Sequence, residues 1–164
     1  MDPDLSKRLR DLITRQEVAA LGTLHDGAPF VSMVPYALLP EGAGFVIHVS
    51  SLAAHTKDMV ASPAVSLMVM AQPSPEVPPQ ALARVTIQGQ AVRISPAPLG
   101  VGHNEAPIHE MAKRLYLERF PQSAQTFELG DFALFAIRPR QARFVGGFAQ
   151  AKTVTAESLA EALR

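Results

Sequence analysis

Apolar residues change their spacing at Val18. Before it, Leu5, Leu9, Leu12 and Ile13 recur at helical intervals behind Asp2-Pro3, an N-cap followed by proline at the first helical position. This predicts an amphipathic helix over 3–16. Beyond Val18 the period drops to two, and ALGTLHDGAPFVSMVPYAL reads as two strands joined at Asp26-Gly27, a strong hairpin signal. A second turn over Leu38–Gly44 leads into a third strand, GFVIHVS.

Residues 51–61 have helix-compatible composition, with Ser51 placed as the N-cap and Pro63 just beyond the end. AVSLMVMA is a buried-looking strand, and QPSPEVPPQ, with four prolines in nine residues, is a loop. RVTIQGQAVRI alternates over a long stretch, as an antiparallel strand with one solvated face does. After a second loop, SPAPLGVGHNEAP, a helix is expected over 108–119 with Ile108, Met111 and Leu115 on one face. DFALFAIRP and ARFVGGF read as a final pair of strands, and Thr155 as the cap of a short helix bearing Leu159 and Leu163. Mostly antiparallel strands with short helices between them suggest a closed barrel rather than a parallel sheet.

Composition narrows the function classes. The sequence has 164 residues, 48% hydrophobic and 18% charged, which suits one globular domain over 1–164. Fifteen basic residues balance fifteen acidic ones, with no block of like charge, so neither a nucleic-acid nor a membrane-surface partner is indicated. Cysteine is absent, which excludes disulfides, thiolate metal sites and a cysteine nucleophile. The N-terminal stretch reads as a charged helix and not as a signal peptide, and no apolar run approaches the roughly 20 residues of a membrane span. A cytoplasmic location is expected. A neutral, apolar-rich chain of this size also hints at an oligomer.

Catalytic signatures are missing: there is no GxSxG, HExxH, P-loop or GxGxxG after a strand. The five histidines, at 25, 48, 55, 103 and 109, show no paired metal-ligand spacing, so no metal site is expected. The informative segment is FVIHVSSLAAHTKDMVASPAVSLMVM. A strand ending at Ser50 and a helix carrying Thr56 and Lys57 would offer free N–H groups, hydroxyls and a cation, as a phosphate monoester requires. Read from the residues alone, an ordinary serine-capped helix with a surface lysine is the commoner outcome.

DGAPFVSMVPYAL, HVSSLAAHTKDMVASPAVSLMVM, ARVTIQGQA, AKRLYLERFP and FELGDFALFAIRPRQARFVGGFAQA together resemble the FMN-binding split-barrel family, that of pyridoxine 5'-phosphate oxidase. The branch most similar is the HugZ-type haem-utilisation proteins, and the resemblance runs from about residue 15 to 155. It implies a mainly β fold, a six-stranded antiparallel split barrel over 17–150 with peripheral helices over 1–16 and 155–164. It also implies a homodimer with FMN in a groove between subunits.

Carried over, the cofactor contacts are Ser32, Met33 and Val34 on the second strand, Val49 and Ser50 at the end of the third, then His55, Thr56 and Lys57 around the phosphate. Arg84 matches a polar position near the isoalloxazine edge. FVGGF, at Phe144–Phe148, marks the branch: Phe144, Gly146, Gly147 and Phe148 either flank a planar ring or form a bulge at a barrel edge. Ser32 and Thr56 stand where the oxidase carries arginines. The basic C-terminal signature that grips pyridoxine phosphate is not visible, and no histidine follows His109. The leading expectation is an FMN-dependent oxidoreductase of unknown substrate, in which the flavin does the redox step and no residue is named as acid or base. The alternatives are a haem-binding or haem-utilisation protein, and a barrel that has lost its cofactor.

Overall fold

The computed structural model describes residues 1–96, 106–147 and 150–164. Helix α1 (Pro3–Arg15) is capped as expected, the Asp2 carboxylate accepting from the Asp4 N–H at 3.1 Å, and it buries Leu9, Leu12 and Ile13. Strands β1 (Val18–His25) and β2 (Ala28–Pro35) form the hairpin. Asp26 and Gly27 both take positive φ, 50° and 80°, matching the right-handed twist of the flanking strands. Then come β3 (Ala37–Leu38), β4 (Phe45–Ser50), α2 (Ala54–Ala61), β5 (Ala64–Met70) and β6 (Arg84–Ile94). The chain closes with α3 (Ala106–Arg119), α4 (Ala124–Phe127), β7 (Phe132–Val145), β8 (Ala151–Thr155) and α5 (Ala156–Leu163).

All strand pairs are antiparallel, in the order β2-β1-β5-β6-β7-β4-β3 with β8 also on β7. The sheet curls until β2 lies against β4, giving the split barrel. Its inner face carries Leu21, Phe45, Ile47, Leu67, Val85, Ile87, Ile137 and Phe144, all wholly buried, with α1 and α5 over the open side. Tyr36 ties the two layers, its hydroxyl donating to the Ile13 carbonyl at 2.6 Å. A second, smaller cluster lies under α3.

Three local expectations are corrected. The final "strand pair" is one 14-residue strand, β7, bent at a bulge where Gln88 faces Gln141 but Gly89 faces Pro139, leaving Arg140 out of register. Gly89 permits this: a Cβ there would run into the Arg138 carbonyl. The partner strand is β8, whose AKTVT buries only Val154 and so carries no alternation to read.

Helix α2 begins at Ala54, with Ala53 and not Ser51 at its N-cap. The Asp131 carbonyl takes the Ser51 N–H at 2.6 Å and its carboxylate takes the Ser50 hydroxyl at 2.8 Å, so the chain is pinned in a turn first. On α3 the buried face is Ala112 and Tyr116, continued by Phe120 just past the helix end, while Ile108 is 47% exposed. A four-residue step along the helix follows the floor of β3 and β4, which favours this face over 108, 111 and 115. The mainly β antiparallel barrel is as expected: of the eight strands among the described residues, β3 and β8 have only two and five residues, which leaves six longer ones.

Candidate functional site

The turn between β4 and α2 is where sequence reasoning placed a phosphate. Its donors are largely spent on the turn itself. Thr56 is buried and its hydroxyl donates to the Ser50 carbonyl at 2.6 Å. The Ser50 hydroxyl donates to the Asp131 carboxylate and accepts from the Leu52 N–H at 3.2 Å. The N–H groups of Ser51, Ala53, Thr56 and Lys57 also have backbone partners within or beside the turn. Asp131 therefore puts negative charge within 2.8 Å of a hydroxyl that a phosphate would need.

Lys57 is exposed and, with Ser51, Thr56, Val60, Phe135 and Arg93, lines a 280 Å³ pocket. Arg93, on β6, was not singled out from the sequence; it is 36 residues away and reaches the pocket only through the sheet. His55 is half-buried, and burial holds its imidazole below the ordinary value, with Asp58 acting in the opposite direction.

The remaining predicted positions are dispersed. Ser32 faces inward opposite Leu21, and its buried hydroxyl has no hydrogen-bond partner among the described residues. Met33 faces outward, 62% exposed, whereas Val34 and Val49 belong to the core. Arg84 donates to the Leu82 and Gln80 carbonyls, with β1 and β5 between it and β2. Phe144 is wholly buried and presents no face to a ligand. The glycines after it form a turn: Gly146 donates to the Gln150 carbonyl, and its own carbonyl accepts from the Arg8 guanidinium of α1. Phe148 and His103 lie outside the described residues.

One constellation was missed. Asp58, on the inner side of α2, is buried; it accepts from the Thr23 hydroxyl at 2.8 Å and pairs with His25 Nδ1 at 2.7 Å. Burial pushes the Asp58 carboxyl up, but the hydrogen bonds from His25 and Thr23 and the nearby imidazoles outweigh it and leave it below the ordinary value. The same hydrogen bond and charge raise His25. The imidazole is 49% exposed on its outer side, with the Phe30 ring 5.5 Å away. A signal existed in the sequence: on the inward face of β1, apolar Leu21 gives way to polar Thr23 and His25. His48, by contrast, is stacked on Phe127 at 3.7 Å and held near pKa 4, chiefly by burial and then by His109 and Lys113. It is a neutral core residue. No group of three metal-ligating side chains occurs among the described residues.

The profile of the pyridoxamine 5'-phosphate oxidase family matches residues 5–146. The chloroplastic haem oxygenase HOZ of Arabidopsis thaliana is 33% identical over 127 residues, covering 77% of this chain and 35% of that protein. The haem oxygenase HutZ of Vibrio cholerae is 25% identical over 166 residues, covering 96% of this chain and 85% of its own. The structure of a haem-binding protein from Mycobacterium smegmatis superposes with a TM-score of 0.80 at 29% identity, over 98% of this chain and 62% of that one. This chain thus spans about a third of the plant protein and under two thirds of the mycobacterial one. The chain belongs to the pyridoxamine 5'-phosphate oxidase family of split-barrel proteins, and the relatives it resembles include proteins named for haem.

Proposed function

We propose that this protein binds haem, in place of the flavin oxidoreductase that the family as a whole suggests. The observation that carries this reading is the near full-length similarity to proteins named for haem, including HutZ over 85% of its length. The strand-to-helix turn supports it from the other side, since Ser50 and Thr56 already donate internally and Asp131 opposes a dianion there. Haem supplies a redox-active iron when bound; the protein's share is an iron ligand, apolar walls and counter-charge for two carboxylates.

The reading includes a homodimer. Val31 and Met33 on β2, 68% and 62% exposed, share the outer face of the sheet with Met68 and Met70 of β5. A contiguous apolar strip of this kind is costly in water and is the sort of surface a second copy covers. A second reading keeps FMN, favoured by the pocket in which Lys57 and Arg93 provide two cations.

Titration with haemin and, in parallel, with FMN decides between them. A Soret band saturating at a fixed stoichiometry supports the haem reading. Quenched flavin fluorescence with no Soret change supports the flavin reading, and silence to both overturns the two together.

A further inference from the structure

We propose that the groove between the first half of α3 and the outer face of β6 and β7 binds a small monocarboxylate with an apolar body. The proposal stands apart from the haem reading and shares neither its evidence nor its test.

The groove exists because α3 seats only its second half. Ala112 and Tyr116 pack into the cluster beneath the helix with Val46, Leu134 and Ala136. Nearer the start of the helix, Ile108 and Met111 line the groove instead, and Ile108 is 47% exposed. Its floor is Val92 and Ile94 of β6 with Ala136 and Arg138 of β7; Val92, paired with Ala136, is 37% exposed. Apolar side chains left half in water on two facing walls are what an apolar ligand covers. The volume, 440 Å³, falls within the range of about 300–1,000 Å³ typical of small-molecule sites.

The third wall is the turn Leu39–Ala43, and it is held in place from several sides. The Gly44 carbonyl accepts from the Leu39 N–H at 2.9 Å, and the Pro40 carbonyl from the Ala43 N–H at 3.0 Å. Gly42 lies so close to Ala160 of α5 that a Cβ there would meet its backbone. Between these fixed points Glu41 takes a φ of 56°, a left-handed conformation uncommon outside glycine. This rim is therefore formed before any ligand arrives, which lowers the ordering cost of binding.

Charge selects the ligand class. Arg93, Arg138 and Glu41 are the charged side chains of the lining, two cations against one anion. Among the described residues neither arginine has a carboxylate within ion-pairing distance. One carboxylate matches that balance, and the guanidinium fork suits its two oxygens. Glu41 opposes a second negative group, so a dicarboxylate of equal length is disfavoured.

The test is NMR titration of the ¹⁵N-labelled full chain with decanoate, and in parallel with decanol and decanedioate. Saturable decanoate shifts are expected at the amides of Leu39, Glu41, Val92, Ile94, Ile108 and Arg138, with decanol and decanedioate each binding at least about fivefold more weakly, the scale of one exposed ion pair. Arg138→Gln, at an exposed position, should weaken decanoate by about the same factor, and Ile108→Asp should abolish its binding. Glu41→Gln should narrow the gap between decanoate and decanedioate, whereas Lys57→Ala, in the neighbouring pocket, should change nothing. Decanol binding as well as decanoate, or an Arg138→Gln variant with unaltered affinity, overturns the carboxylate assignment. Shifts centred on the Lys57 pocket or on the groove at Leu24 and Phe30, or no saturable shift at all, overturn the site.

Discussion

His25 Nδ1 lies 2.7 Å from a carboxylate oxygen of Asp58, a residue 33 positions further along the chain and on a different element. The pair fastens the tip of the β1–β2 hairpin to α2, and Thr23 completes it from the same strand face. An acid buried in this way is tolerated because both its oxygens are bonded.

Removing one donor tests that statement. Thr23→Val keeps the shape of a buried residue but leaves one Asp58 oxygen unpaired, and should cost about 1–2 kcal/mol of stability in urea unfolding. Thr23→Val combined with Asp58→Leu should cost less than the sum of the two single changes, because the shared partner is gone. Additive losses would mean that the hydroxyl and carboxylate act independently.

The pocket at Lys57 makes the flavin question quantitative. If FMN binds there, Lys57→Ala should weaken it by about 1.5–3 kcal/mol, the scale of a charge-assisted contact, and flavin fluorescence reads the change directly. Asp131→Asn should act in the opposite direction, strengthening FMN binding several-fold by removing the charge beside Ser50. An unchanged dissociation constant in both variants removes the phosphate from this turn.

The exposed strip on β2 and β5 gives the proposed dimer a test. If the proposed dimer forms through this strip, a Val31→Asp, Met33→Asp double variant should sediment as a monomer under the conditions in which the unaltered protein sediments as a dimer, with its far-UV CD unchanged. A variant that remains dimeric places the interface elsewhere on the surface.

His48 predicts an acid limb in stability. Its folded value, about 4, lies below the ordinary 6.5, so the fold favours the neutral ring. Stability from this source is intact above pH 6.5 and is lost as pH falls from 6.5 towards 4, where the unfolded chain takes up a proton that the folded one resists. At about 1.4 kcal/mol for each tenfold change in proton affinity, the loss should approach 2–3 kcal/mol. His109 and Lys113 of α3 are the charged neighbours that add to the effect of burial. His48→Phe preserves the stack on Phe127, and Thr126 still donates to the Ser123 carbonyl. Its unfolding free energy should therefore vary less between pH 6.5 and 4 than that of the wild type.

Elements that depend on neighbouring residues were legible from the chain alone. The Asp2 and Thr155 caps, the Asp26-Gly27 turn and the alternation of β6 involve partners a few residues apart, and each stands where its pattern placed it, whereas β5, which looked buried, leaves Met68 and Met70 exposed on one face. The family, too, was readable, because several segments occur in the right order over most of the length. What only the tertiary structure decided involves groups far apart in sequence. Asp131 moves the start of α2 from Ser51 to Ala54 and consumes the hydroxyl of Ser50. Gly89 lets β7 run on through Pro139, and Arg93 joins Lys57 across the sheet. The pairing of His25 with Asp58 belongs to the same class. Hydrogen bonds and packing act over a few ångströms whatever the distance along the chain, so a periodicity of two or 3.6 residues cannot reveal which distant partner a side chain will meet.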